Sequence, residues 1–152
     1  MTEELSDILD EYVRRPGPLL LVLHAVQRKL GFVPEEAVPY IAERLNLSRA
    51  EVHGVVSFYH HFRRAAPGRC VIQVCRAESC QAMGAEHLAR HAQDRLGIQF
   101  YDTTADGAFS LEPVYCLGNC ACSPAVMMDQ ELYGRVSPEQ FDALLAERGG
   151  NR

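Results

Sequence analysis

The sequence predicts a mixed protein in two parts, with helices alone over residues 1–66 and strands interleaved with helices over 67–152. Three observations carry that division. Apolar residues recur at helical spacing in the first part, which holds no metal-ligand pattern. The second part opens on the apolar, β-branched run Arg69-Cys70-Val71-Ile72-Gln73-Val74, a strand signal. Between them Ala65-Ala66-Pro67-Gly68 breaks the pattern and places a domain boundary after residue 66. At 152 residues and 47% hydrophobic, the chain is large enough for one or two compact cores.

In the first part, Leu5, Ile8, Leu9 and Tyr12 mark a short helix that stops before Pro16-Gly17-Pro18. Leu19, Leu20, Leu23, Val26 and Leu30 mark a second, stopped at Gly31. A third covers roughly 34–45; Pro39 lies inside it, so this helix either begins at Pro39 or kinks there. Ser48-Arg49-Ala50-Glu51 is a capping box opening a fourth helix, along which Val52, Val55, Val56, Tyr59 and Phe62 follow at helical spacing. His60-His61 beside Arg63-Arg64 read as cations complementing the end of that helix, or as part of a docking surface.

In the second part, four of the six cysteines form two tight pairs, Cys75-x4-Cys80 and Cys116-x3-Cys120. The first pair sits at the exit of the Val71–Val74 strand. Beyond it Ala85, Leu88, Ala89, Ala92 and Leu96 recur at helical spacing and Gly97 is placed as a stop. The positive end of that helix faces the cysteine loop and favours thiolate over thiol. Leu111-Glu112-Pro113-Val114-Tyr115 leads into the second pair as a short strand, and Gly118 and Asn119 are the residues of the turn that best tolerate positive φ. Such a turn points backbone N–H groups at the sulfurs. Residues 124–128 and 132–136 then read as a hairpin around a polar turn. Ser137 as N-cap, Pro138 at the first helical position and Gln140 at the third open a final helix carrying Phe141, Leu144 and Leu145, and the tail from Gly149 to Arg152 frays.

Two loops offering two thiolates each make a four-sulfur metal cage, and two metals suit it. Both spacings lie within or next to the range of structural zinc sites. Loops with free amides also suit an iron–sulfur cluster, whose sulfurs take hydrogen bonds. A redox dithiol is disfavoured because neither pair has the two-residue spacing of such motifs. Paired disulfides are weaker still, since Met1-Thr2-Glu3-Glu4-Leu5 is acidic where a signal peptide is basic and then apolar; the expected location is the cytoplasm. The longest purely apolar run, Leu19 to Leu23, is far short of the ~20 residues of a membrane span, so no direct membrane insertion is expected. A net charge of −5, no basic stripe and no tryptophan argue against nucleic acid. An anionic cluster would add negative charge, and a partner with a positive docking face is expected.

The arrangement of helices, strand, Cys-x4-Cys, helix, strand, Cys-x3-Cys, hairpin and helix resembles the thioredoxin-like [2Fe–2S] ferredoxin subunits of NADH-linked complexes. The resemblance spans nearly the whole chain. It rests on residues 31–37 (Gly31-Phe32-Val33-Pro34), residues 52–59 (Val52-His53-Gly54-Val55), Val74-Cys75, Cys116-Leu117-Gly118-Asn119-Cys120 and Pro124-Ala125-Val126-Met127-Met128. It implies an α+β fold, an N-terminal helical bundle over 1–66 and a thioredoxin-like [2Fe–2S] domain over 67–152. It also implies one [2Fe–2S] cluster held by Cys75, Cys80, Cys116 and Cys120. The loop Cys75-Arg76-Ala77-Glu78-Ser79-Cys80-Gln81-Ala82-Met83-Gly84 is most similar to the gamma subunits of NAD-dependent, molybdenum-containing formate dehydrogenases. That implies an FMN- and NADH-binding flavoprotein partner and a large subunit with the molybdenum cofactor, with FMN, NAD and molybdenum held on those partners. Equivalent subunits occur in complex I (NADH:quinone oxidoreductase) and in NAD-linked hydrogenases. A zinc-stabilised assembly module is the reading from another class.

Cys70, on the side of Ile72 and Val74, reads as a small buried hydrophobe. Cys122, two residues beyond Cys120, reads as a bystander near the site. Arg76 is either a cation that raises the potential of a neighbouring cluster or a solvated loop residue. His87 and His91 share a helical face, but no Glu follows His87 as in H-E-x-x-H, and a solvated face is expected. With no phosphate loop, triad or paired carboxylates in the sequence, this chain alone is expected to have no catalytic activity.

Overall fold

The computed structural model describes residues 2–149; the tail expected to fray lies outside them from residue 150 on. The chain divides into two compact units, Met1–Ala66 and Pro67–Arg152.

The first unit is built of four helices, α1 (Thr2–Tyr12), α2 (Leu19–Leu30), α3 (Ala37–Leu45) and α4 (Arg49–Phe58). Leu9, Val22, Leu23, Val26, Ile41 and Val52 are fully buried in its core. α2 ends where Gly31 takes φ 84, the left-handed geometry that glycine adopts most cheaply. α3 differs from the expectation: it starts at Ala37 and runs through Pro39 as one helix. Pro39 falls in the first turn, where backbone N–H groups have no intrahelical acceptor, so the missing donor costs no bond. At Ser48 both halves of the capping box form. α4 stops at Phe58, before Tyr59, Phe62 and the His60-His61 pair, so these histidines follow its last turn rather than lie in it. What holds the following turn is buried Gln27, whose amide nitrogen donates to the His61 carbonyl at 2.7 Å and whose oxygen accepts the Arg63 N–H at 2.7 Å. Phe62 is thereby folded back into the core.

The second unit contains β1 (Cys70–Cys75), α5 (Glu78–Ala82), α6 (Ala85–Leu96), β2 (Phe109–Val114), a 3-10 turn (Cys120–Cys122), β3 (Val126–Met128), β4 (Glu131–Tyr133) and α7 (Pro138–Gly149). The sheet order is β2-β1-β3-β4, with β1 and β2 parallel and the other pairs antiparallel. A parallel pair needs a crossover, which α5 and α6 supply. β2 is an edge strand and so tolerates Pro113. α6 and α7 bury Leu88, Ala89, Ala92, Phe141 and Leu145 against Ile72, Leu111 and Met128. The cap of α7 forms as expected, with the Gln140 N–H donating to Ser137 Oγ and the Ser137 N–H to Gln140 Oε1. Cys70 is buried, and its thiol is pushed up to about 11, by burial first and by nearby Asp129 second.

Candidate metal centre

The topology gathers the cysteines at one end of the sheet. Because β1 and β2 run parallel, Cys75, the last residue of β1, and Val114, the last of β2, are register partners. Cys116 follows two residues later. β3 runs the opposite way, so the segment entering it, Cys120 to Ala125, arrives at that same end. Backbone bonds fasten the three segments together: the Cys75 N–H donates to the Ala125 carbonyl at 3.0 Å, and the Arg76 N–H to the Val114 carbonyl at 2.7 Å.

Two sulfur pairs result. Cys75 and Cys80 are buried and hydrogen-bonded to each other, in a small apolar cluster with Ala85 and Ala125. Cys116 and Cys120 are exposed, with their sulfurs 3.9 Å apart. Cys120 also lies within electrostatic range of Cys80. Among the described residues no three His, Cys, Asp or Glu side chains stand together at metal-holding distance, so the site is an inner pair beside an outer pair.

Amides reach both pairs. The Gly118 N–H donates to Cys116 Sγ at 3.3 Å, and the backbone N–H groups of Ala77 and Leu117 bond the Cys75 sulfur. Leu117 thus carries the outer loop onto an inner sulfur. The turn differs from the expectation in one residue: Gly118 has φ 77, but Asn119 has φ −104, and the second positive φ belongs to Cys116 at 130. Placing the ligand-type residue itself in that geometry turns its side chain toward Cys120.

The helix expected behind Cys80 also divides. Cys80 lies within the short α5, and α6 begins only after Gly84 at φ 91. The amide at the Cys75 sulfur therefore comes from the start of α5, not from α6.

Burial pushes the Cys75 thiol up, against the two amides that stabilise its thiolate. For Cys80 burial acts in the same direction but is outweighed by the hydrogen bonds its thiolate form can accept from the Ser123 hydroxyl, the Ala125 backbone and Cys75, which hold it below the usual thiol range. Cys120 is raised, chiefly by Cys116 beside it.

The donor set fits a two-iron cluster. Metal–sulfur bonds of about 2.3 Å at tetrahedral angles put two sulfurs on one metal about 3.7–3.8 Å apart, close to the outer pair's separation. With the inner pair supplying two more sulfurs, the donors number the four thiolates of a [2Fe–2S] cluster.

The remaining candidates fall elsewhere. Arg76 is half-buried and paired: Nη2 bonds Glu86 at 2.9 Å, and the guanidinium lies over the Phe100 ring, 5.3 Å from its centroid. Cys122 closes the 3-10 turn, its N–H donating to the Asn119 carbonyl and its own carbonyl accepting from Arg135. His91 departs from the solvated-face expectation, bonding Asp142 at 3.0 Å and meeting Phe141 edge-on, so it ties α6 to α7. Two residues that sequence reasoning missed, Ser79 and Ser123, join the two cysteine loops through a hydroxyl contact of 3.0 Å. Their 44-residue separation leaves no local signal.

Residues 5–148 match the family described as Thioredoxin-like [2Fe-2S] ferredoxin. The NADP-reducing hydrogenase subunit HndA of Solidesulfovibrio fructosivorans is 35% identical over 144 residues, covering 95% of this chain and 84% of that protein. A subunit of the NADH-quinone oxidoreductase of Pseudomonas aeruginosa is 42% identical over 123 residues, covering 81% of this chain and 74% of that protein. Among solved structures, the NAD+-reducing [NiFe]-hydrogenase in the H2-reduced state shares the fold with a TM-score of 0.71 at 24% identity. That match covers 88% of this chain and 22% of the hydrogenase chain.

Proposed function

Since the chain belongs to the thioredoxin-like [2Fe-2S] ferredoxin family, we propose that Cys75, Cys80, Cys116 and Cys120 hold its [2Fe–2S] cluster and that the chain is the electron-transfer subunit of an NADH-linked oxidoreductase complex. The observation that carries this reading is the convergence of both cysteine loops at one sheet end, with the Leu117 amide of the outer loop bonded to the Cys75 sulfur of the inner one. When bound, such a cluster takes up and returns one electron at a time.

The chain's own residues divide the remaining work. Ala77 and Leu117 supply amides to Cys75, and Gly118 supplies one to Cys116, which favours the charged sulfur that metal binding requires. Ala85, Ala125, Val114 and Leu117 shield the inner pair from water, while the exposed outer pair leaves a short way to a partner. Six free cysteines suit a reducing compartment, and we place the complex in the cytoplasm. No helix of the described residues is long and apolar enough to cross a membrane.

The finer reading is the gamma subunit of an NAD-dependent formate dehydrogenase, supported by the Arg76-Ala77-Glu78-Ser79 loop. Its partners would be an FMN- and NADH-binding flavoprotein and a molybdenum-containing large subunit, where formate is oxidised. A second reading, favoured by the relatives, is the corresponding component of NADH:quinone oxidoreductase or of an NAD(P)-linked hydrogenase. Co-purification with native partners separates them. Molybdenum and formate-dependent NAD reduction in the purified assembly support the first; nickel or a quinone-reducing membrane arm without molybdenum would overturn it.

A further inference from the structure

Cys80 Sγ and three oxygens beside it form a closed hydrogen-bonding set. Ser123 Oγ stands 3.3 Å from Cys80 Sγ, 2.9 Å from the Cys120 carbonyl oxygen and 3.0 Å from Ser79 Oγ; Ser79 Oγ stands 3.1 Å from that same carbonyl. Ser123 and Cys80 are both buried. With Cys80 as a thiol, every group has a partner: the S–H donates to Ser123, and Ser123 donates to the Cys120 carbonyl.

Metal ligation changes the proton count. A cysteine bound to metal is a thiolate and has nothing to donate. The contact between Cys80 and Ser123 then remains a hydrogen bond only if the Ser123 hydroxyl turns its proton toward the sulfur. Turning it leaves the Cys120 carbonyl to its other neighbour, the Ser79 hydroxyl at 3.1 Å. Ser79 is placed to take over.

We propose that Ser123 donates its hydroxyl proton to the Cys80 sulfur of the loaded site and thereby raises the cluster's reduction potential, with Ser79 as a positioning residue that occupies the Cys120 carbonyl in its place. A donor on a ligand sulfur stabilises the more negative, reduced state more than the oxidised one. The pair therefore biases the direction in which electrons pass between this chain and its partners. This inference rests on Cys80 being a ligand.

The test compares the full chain with Ser123→Ala, Ser123→Thr and Ser79→Ala, each assayed for iron and acid-labile sulfide before redox titration. Ser123→Ala lowers the reduction equilibrium constant about tenfold, which for a one-electron couple is about 59 mV. Ser123→Thr, which keeps the hydroxyl, returns toward the parent value. Ser79→Ala lowers the constant about threefold although its own hydroxyl does not touch the sulfur, because Ser123 is drawn back to the carbonyl. A fully loaded Ser123→Ala protein at the parent potential overturns the inference and leaves the proposed function standing; a parent protein without iron and sulfide overturns the proposed function instead. Should Ser123→Ala not hold the cluster, Ser79→Ala decides alone, and an unmoved potential in that variant overturns the relay.

Discussion

A methyl group at position 134 has nowhere to go. A Cβ there would stand 2.7 Å from Cys122 Cβ, 2.7 Å from Asn119 Nδ2 and 2.9 Å from the Cys122 carbonyl oxygen. Carbon atoms in good contact sit at about 3.5–4.0 Å, so the two segments must part by about 1 Å. They are not free to do so, since the Arg135 N–H donates to the Cys122 carbonyl at 2.7 Å and the Val136 N–H to the Pro124 carbonyl at 3.0 Å. Overpacking costs about 1–3 kcal/mol; two of the three neighbours belong to Cys122 close to its backbone, which puts Gly134→Ala at about 2–3 kcal/mol. For a domain of 60–100 residues each kcal/mol moves Tm by about 4–8 °C, so the second unit should melt roughly 10–20 °C lower. The same parting displaces Asn119 and Cys120, so a loaded site should lose its iron faster. Thermal melts by circular dichroism and the visible absorbance of the loaded protein over time measure the two effects. Gly54→Ala is the control: it lies within α4 with nothing within 4 Å of the added Cβ, and helix propensity alone should stabilise it by about 0.5–1 kcal/mol. A Gly134→Ala protein melting within about 2 °C of the parent, with unchanged cluster retention, would refute the steric reasoning.

Cys122→Ser should keep the cluster and Cys120→Ser lose or distort it, as read by the visible spectrum and iron content; the opposite result would reassign the fourth ligand. Glu51 accepts from the Ser48 backbone and hydroxyl, and both hold its carboxyl below its ordinary 4.5. Its folded value is thus lower than its unfolded one, so its contribution is fully present above pH 4.5 and is lost as pH falls through the folded value. The stability gap between parent and Glu51→Gln, followed by denaturant titration, should therefore be constant above pH 4.5 and close below it; a gap that widens on acidification would contradict the cap. Cys70, pushed up to about 11, should resist iodoacetamide at pH 8 in the folded metal-free protein while exposed Cys116 reacts, as peptide mass mapping shows; equal labelling would contradict the burial.

The parts of the fold legible in the sequence are those written in local chemistry. Gly31, the Ser48–Glu51 box and the Ser137-Pro138 start each act within one helical turn, and each stands where the sequence places it. Local reading failed where a distant residue decides. Tyr59 and Phe62 keep helical spacing, yet α4 ends at Phe58 and Gln27, 34 residues from His61, shapes the chain beyond it. α5 is five residues long, too short to show a period. At the metal centre the four cysteines were visible as two spaced pairs. Their division into buried and exposed halves was not, because it follows from the parallel pairing of β1 with β2. Nor could the sequence place Ser123 against Cys80, 43 residues away.

The most direct test of the centre is elemental and spectroscopic. The chain, produced under iron-replete conditions and purified without oxygen, should be red-brown, contain iron and acid-labile sulfide in equal amounts, and give a paramagnetic signal on one-electron reduction that is lost when Cys75, Cys80, Cys116 and Cys120 are replaced. A colourless protein carrying zinc and no sulfide under the same conditions would contradict the electron-transfer reading.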